Sequence, residues 1–267
     1  MGVDYIIGYD CDPKNALTVE GLMGRLKGRE RAQAVIRLYR EEGDTRPPSK
    51  MGFEMVRRAA DGSEEVEVIV VQKLLDAADE LQPWEASCAD CPANRARQSF
   101  GCIGSINYPI SVQAEFWLLN QLPDNDHPLI FALLQRALRE HGYTGQTAAG
   151  LRNQEGIFFE TADLPDRDIN GLRVTGDQVF EMLFLTAPIR PAHASLLLQF
   201  FGGIAPDLDA DVMMQLAAPP SQAWIDEHVP FLHAPADNDD VSIIALKGFF
   251  EALHIGFQLS VPVLLDV

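Results

Sequence analysis

The chain has 267 residues, 47% of them hydrophobic and 22% charged, a composition that supports a packed core and excludes wholesale disorder. Its net charge of −18 is lopsided, since residues 1–58 carry 11 Lys and Arg against 9 Asp and Glu while residues 59–267 carry 10 against 30. The acidic part repels phosphate, which disfavours nucleic acid and anionic membrane as its partners.

The opening Met-Gly-Val-Asp-Tyr-Ile-Ile lacks a basic segment followed by a long apolar one, and the longest uncharged apolar stretch, Pro191 to Pro206, is short of a membrane span. A cytoplasmic protein is expected, where clustered cysteines serve as ligands or redox groups more often than as structural disulfides.

In chain order, Tyr5–Tyr9 reads as a strand leading into Asp10-Cys11-Asp12-Pro13. From Ala16 to Arg40 apolar residues recur at helical spacing, with Arg25, Lys27, Arg29, Arg31, Arg37 and Arg40 interspersed. Tandem prolines make Gly43–Ser49 a loop. A hairpin follows, from Met51–Arg58 through an Asp61-Gly62 turn to Val66–Val71, then a helix from Gln72 to Leu81. Trp84 to Gly104 is irregular; Ile106–Ile110 reads as a strand and Val112–Leu122 as a helix.

The polar, Pro-bracketed stretch at 123–128 is the expected boundary between a domain at 1–123 and a mainly helical one at 124–267, unless the two are continuous. Beyond it come a helix at Leu129–His141 and a second hairpin, from Gly156–Thr161 to Gly171–Val174 through Asn170-Gly171. Helices at 176–185, 192–201, 210–216 and 241–254 and a closing strand at 258–265 complete the pattern. The fold class is therefore α+β, with short antiparallel hairpins, segregated helices and two halves of similar pattern. Those halves share almost no identity when aligned, so a recurring supersecondary unit explains them better than a duplication.

The chemistry concentrates in Cys88-Ala-Asp-Cys91-Pro92 and the nearby Gly101-Cys102. A Cys-x2-Cys pair puts two sulfurs on one tight turn, where both reach one ion at about 2.3 Å. Arg95 and Arg97 lie in the intervening loop and would offset thiolate charge. A structural zinc site needs four ligands, and Cys11 is the leading fourth, with His127 and His141 as substitutes. The expected metal set is thus Cys11, Cys88, Cys91 and Cys102 around Zn²⁺. An iron–sulfur cluster is the alternative, against which stands the missing Cys-x2-Cys-x2-Cys spacing; buried free cysteines without metal are the bland one.

Asp166-x-Asp168-x-Asn170-Gly171-x5-Asp177 has the spacing of a calcium loop, but Asp replaces the twelfth-position Glu and Arg173 stands where an apolar residue belongs. An Asn-Gly hairpin turn followed by a Thr175-x-x-Gln178 capping box accounts for the same residues. No phosphate loop, nucleophile elbow or His-Glu-x-x-His helix is present, so an enzymatic role is neither assigned nor excluded.

The functional expectation is a non-enzymatic, zinc-stapled scaffold or adaptor that binds a protein partner or a second copy of itself. The alternatives are an iron–sulfur or thiol redox enzyme or sensor built on the same cysteines, and phosphate-ligand or RNA binding by the arginines of the first long helix. Those arginines also suit a solvated face paired with Glu30, Glu41 and Glu42.

Overall fold

A computed structural model describes residues 2–58, 64–95, 98–154, 156–185, 187–206 and 221–265. The expected Asp61-Gly62 turn, the 210–216 helix and Arg97 lie outside the described residues. The chain falls into two compact units: Met1–Tyr9, Pro92–Ala96 and Gly101–Val267 form the first, Asp10–Cys91 with Arg97–Phe100 the second. The 123–128 stretch lies inside the first unit.

The second unit begins with α1 (Asp12–Leu17) and the long α2 (Val19–Glu41), which Thr18 caps by accepting from the Gly21 N–H at 3.1 Å. Strands β2 (Gly52–Arg58) and β3 (Glu64–Val70) form the expected antiparallel hairpin, then α3 (Val71–Asp79) and α4 (Gln82–Glu85) follow. Buried Ala32, Met51 and Val71 gather Val35, Ile36, Tyr39, Phe53, Leu74 and Leu75 into one core. Register puts Val56 opposite Val66 and Glu54 opposite Val68, so these residues share one face. On it Val56, Val66 and Val68 are 56%, 60% and 64% exposed.

In the first unit β1 (Gly2–Ile7) is the middle strand of an antiparallel sheet, between β4 (Ile103–Asn107) and β7 (Val263–Leu265). Almost all of β1 is buried, which matches its unbroken apolar run Tyr5-Ile-Ile. Among the described residues the helices of this unit are α5 (Val112–Gln121), α6 (Pro128–Glu140), α7 (Gln146–Arg152), α8 (Gly176–Phe184), α9 (Pro191–Phe200), α10 (Gln222–His228) and α11 (Val241–Gln258). The last packs on β1, β4, α5 and α9. It is also the one helix among the described residues long and apolar enough to cross a membrane; 56% of it is buried, as in a core helix.

The second hairpin is β5 (Asp166–Ile169) and β6 (Leu172–Thr175), so its first strand lies later than Gly156–Thr161. Asn170 and Gly171 both have positive φ, 53° and 85°, as a two-residue turn with left-handed central residues requires. Gly171 N–H donates to Asp168 at 2.9 Å, Asp166 pairs with Arg173, and Asp177 accepts from Arg152 at 2.7 Å. The three carboxylates therefore have separate structural duties rather than one cation, and the expected capping box of Thr175 and Gln178 is present.

Helix α7 occupies a glycine-rich segment that reads as loop. Its start is fixed from α8: the buried Glu181 carboxylate accepts from the N–H groups of Gly145 at 2.7 Å and Thr147 at 2.8 Å. A carboxylate there satisfies unpaired donors and complements the positive end of the helix. Arg152, at the other end of α7, is bound by both Glu115 of α5 and Asp177 of α8, all three nearly inaccessible to solvent. One cation thus ties three helices together.

Candidate metal centre

The Cys-x2-Cys segment forms the tight turn its spacing predicts. A single helical turn, Ala86–Cys88, runs into it, and the Cys91 N–H closes it by donating to the Cys88 carbonyl at 3.3 Å. Cys11 does not end the first strand; it stands at the N-terminus of α1 in extended backbone, its carbonyl accepting from Asn15 N–H at 3.1 Å. Its side chain makes no cap, which leaves the thiol out of the helix-start hydrogen bonding.

Two ion pairs fasten α2 to the segment that carries the turn. Arg25 binds Glu80 through Nε at 3.0 Å and Nη2 at 2.5 Å, and Arg29 reaches Glu85 at 3.1 Å. Arg25 and Arg29 thus pair across to residues beyond their own helix. That pairing neutralises two charges that a phosphate-binding face would use.

Within the second unit Cys11 and Cys91 both come into electrostatic range of Cys88. Burial pushes the Cys88 thiol pKa up; the Phe100 N–H, donating to its sulfur, pulls it down; and the neighbouring thiols of Cys91 and Cys11, with Glu85, raise it again. Ionising thiols gathered without a cation is opposed by their own repulsion, and a bound cation reverses that sign. An N–H aimed at sulfur is the outer-shell contact by which proteins orient and tune thiolate ligands. Phe100 holds that N–H from a left-handed backbone, φ 60°, an uncommon conformation for a bulky residue.

Of the four expected ligands, three belong to this unit. Cys102 belongs to the first unit, just before β4, with its carbonyl accepting from Ile7 N–H at 2.9 Å. The two histidine substitutes also lie in the first unit. His127 precedes α6, and His141 lines an apolar cavity of about 300 Å³ with Tyr143, His193 and Phe200. No disulfide joins any of the four cysteines. Among the described residues no three His, Cys, Asp or Glu side chains stand at ion-binding separation, so a metal held by these thiols would have to draw them together.

Arg95 has a different duty from the one its place in the sequence implies. Its Nε, Nη1 and Nη2 donate to the carbonyls of Gly101 at 2.9 Å, Gly248 at 2.8 Å and Ile103 at 3.1 Å, and its guanidinium lies over the Tyr5 ring. It joins β4 to α11 in the first unit rather than offsetting thiolate charge.

That arginine also lines a cleft of about 670 Å³ that sequence reasoning missed, together with Tyr5, Phe231, Lys247 and Glu251. The available signal was in α11, where Lys247 and Glu251 are the sole Lys, Arg, Asp or Glu residues of an apolar helix and stand four apart on one face. They do not pair with each other: Lys247 binds both oxygens of Asp239, at 2.7 and 2.9 Å.

Compared with known proteins, the chain matches no family model, no curated protein and no solved structure.

Proposed function

We propose that this chain is a scaffold stapled by a thiolate-bound zinc ion, held by Cys11, Cys88 and Cys91 of the second unit, which presents a surface to a protein partner. The observation that carries the reading is the approach of Cys11 to the Cys88–Cys91 turn across 77 positions of chain, with the Phe100 N–H on the Cys88 sulfur. Thiolates are the ligands that structural zinc prefers, and a reducing compartment keeps them available. The partner surface in this reading is the exposed valine face of β2 and β3.

Elemental analysis of the purified protein tests the metal, with Co²⁺ substitution reading the number of thiolates from the sulfur-to-metal charge-transfer band. One zinc per chain is expected, lost together with thermal stability in Cys11→Ser, Cys88→Ser and Cys91→Ser. Cys102→Ser decides whether the fourth ligand of the expected set is that thiol. A brown protein bleached by reductant would instead establish the iron–sulfur alternative. A colourless, metal-free protein that takes up no Co²⁺ and is as stable with serine at these positions would refute both.

A further inference from the structure

The cleft of the first unit has a charge pattern that its own ion pairs leave incomplete. Lys247 is neutralised by Asp239 and also donates to the Ala234 carbonyl at 2.8 Å. Arg95 is not neutralised: its three mapped bonds all go to carbonyls, which fix the guanidinium and leave its positive charge. Guanidinium has five N–H donors; three go to the carbonyls and the Tyr5 hydroxyl takes a fourth, so one remains for an oxygen of an anionic ligand. On the same wall the Glu251 carboxylate has no hydrogen-bond or ion-pair partner among the described residues.

The slot around Arg95 is built rather than incidental. A Cβ on Gly248 would lie 2.8 Å from Nη1 and 3.3 Å from the Tyr5 hydroxyl, and one on Gly104 would meet the Tyr5 ring and lie 2.7 Å from Nη2. Two glycines therefore leave the space that guanidinium and phenol fill. Gly248, whose carbonyl holds Nη1 of Arg95, and Glu251 are three residues apart on α11, about 4.5 Å of rise, so cation and carboxylate are anchored within roughly one turn of the same helix. That separation suits two opposite charges carried on one carbon, each reached through a hydrogen bond of about 2.8 Å. The rest of the lining combines apolar Phe231, Leu232, Pro235 and Ile244 with Ser105, His233 and the Asp239–Lys247 pair.

From this geometry we infer that the cleft binds a small zwitterion, an α-amino acid with a bulky apolar side chain, its carboxylate on Arg95 and its ammonium on Glu251. The volume lies within the range of small-molecule sites. The site shares no residue with the thiol cluster and stands or falls apart from it.

Titration calorimetry and thermal shift on the full chain, with L-leucine and L-phenylalanine as probes, test the inference. Both are expected to bind and to raise the melting temperature. N-acetyl-leucine, which lacks the ammonium, and leucinamide, which lacks the carboxylate, are each expected to bind at least about tenfold more weakly, the cost of one unpaired charged group. Glu251→Gln is expected to weaken leucine by a similar factor without changing the melting temperature of the free protein, because the carboxylate it removes has no partner to lose. Should that variant fold poorly, the blocked ligands on the wild-type protein still decide. Absence of binding up to ~10 mM leucine or phenylalanine, equal binding of the blocked ligands, or unchanged affinity in Glu251→Gln would each overturn the assignment.

Discussion

Replacing Arg152 by Met removes the cation that joins α5, α7 and α8 while keeping much of its apolar stem. In the native protein its Nε donates to Asp177 at 2.7 Å, its two Nη groups clasp Glu115, and Nη1 also reaches the carbonyls of Thr161 at 3.2 Å and Asp163 at 3.3 Å. The guanidinium carbon lies 3.9 Å from the centre of the Phe159 ring. Glu115 and Asp177 are 3% and 2% exposed, so the variant leaves two carboxylates buried with no cation between them. Removing one partner of a buried ion pair costs about 3–5 kcal/mol, chiefly through the charge left behind. The loss should appear as a lowered urea midpoint, followed by circular dichroism.

Its pH dependence identifies the cause. Burial already holds the Glu115 pKa above the ordinary carboxylate value, against the opposing pull of Arg152. A raised carboxyl pKa gives stability that is complete below about pH 4.5 and declines as pH rises through the folded value. Without Arg152 that value rises further, so the gap between variant and wild type should narrow as pH falls from 7.5 toward 5. Adding Glu115→Gln to Arg152→Met should recover part of the loss at pH 7.5. A cost below about 1 kcal/mol, or the same cost at both pH values, would show that the triad is not held by its charges.

Glu181→Ala removes the acceptor for the first N–H groups of α7 and should cost about 1–3 kcal/mol, with hydrogen exchange accelerated first at Gly145 and Thr147. His254 is buried with Nε2 2.8 Å from the Val229 carbonyl, and burial depresses its pKa. The unfolded chain therefore takes up a proton there before the native one does, and stability should fall as pH drops below about 6.5. His254→Gln should show a shallower fall over pH 7 to 5 in thermal melts; an identical slope would remove His254 from the linkage.

The elements that sequence pattern disclosed are those whose signal is local. The Asn170-Gly171 turn, the Thr175 and Gln178 cap and the β2–β3 pairing each follow from residues a few positions apart. Helix α7 was illegible because what starts it is a carboxylate 34 residues after Thr147, on another helix. The Gly156–Thr161 segment has strand composition, yet Phe159 makes an isolated bridge to Ile110 and no ladder forms around it. Within the thiol cluster the Cys88–Cys91 turn was readable from its spacing. The duty of Arg95 was not, since its acceptor at Gly248 is 153 positions away. The cleft was hidden for the same reason: its charges come from α11 and from a loop that no periodicity connects to it.

The positions of the thiols within the second unit set where a metal would act. Cys11 stands one residue after that unit's first residue, Asp10, and Cys91 is the last residue before the chain leaves it. A metal joining Cys11 to the Cys88–Cys91 turn closes the segment near both of its ends. Closing a loop of this length removes on the order of 4 kcal/mol of unfolded-chain freedom in the chain-entropy description of cross-links, an upper figure for a reversible metal bond. The benefit falls on the enclosed residues, because it is their unfolded ensemble that the closure restricts. Removing metal with a chelator should therefore increase hydrogen exchange in α2, β2, β3 and α3, while β1, β4 and α11 keep their protection. Faster exchange spread evenly over both groups of elements, or none in either, would refute a staple acting at the ends of this unit.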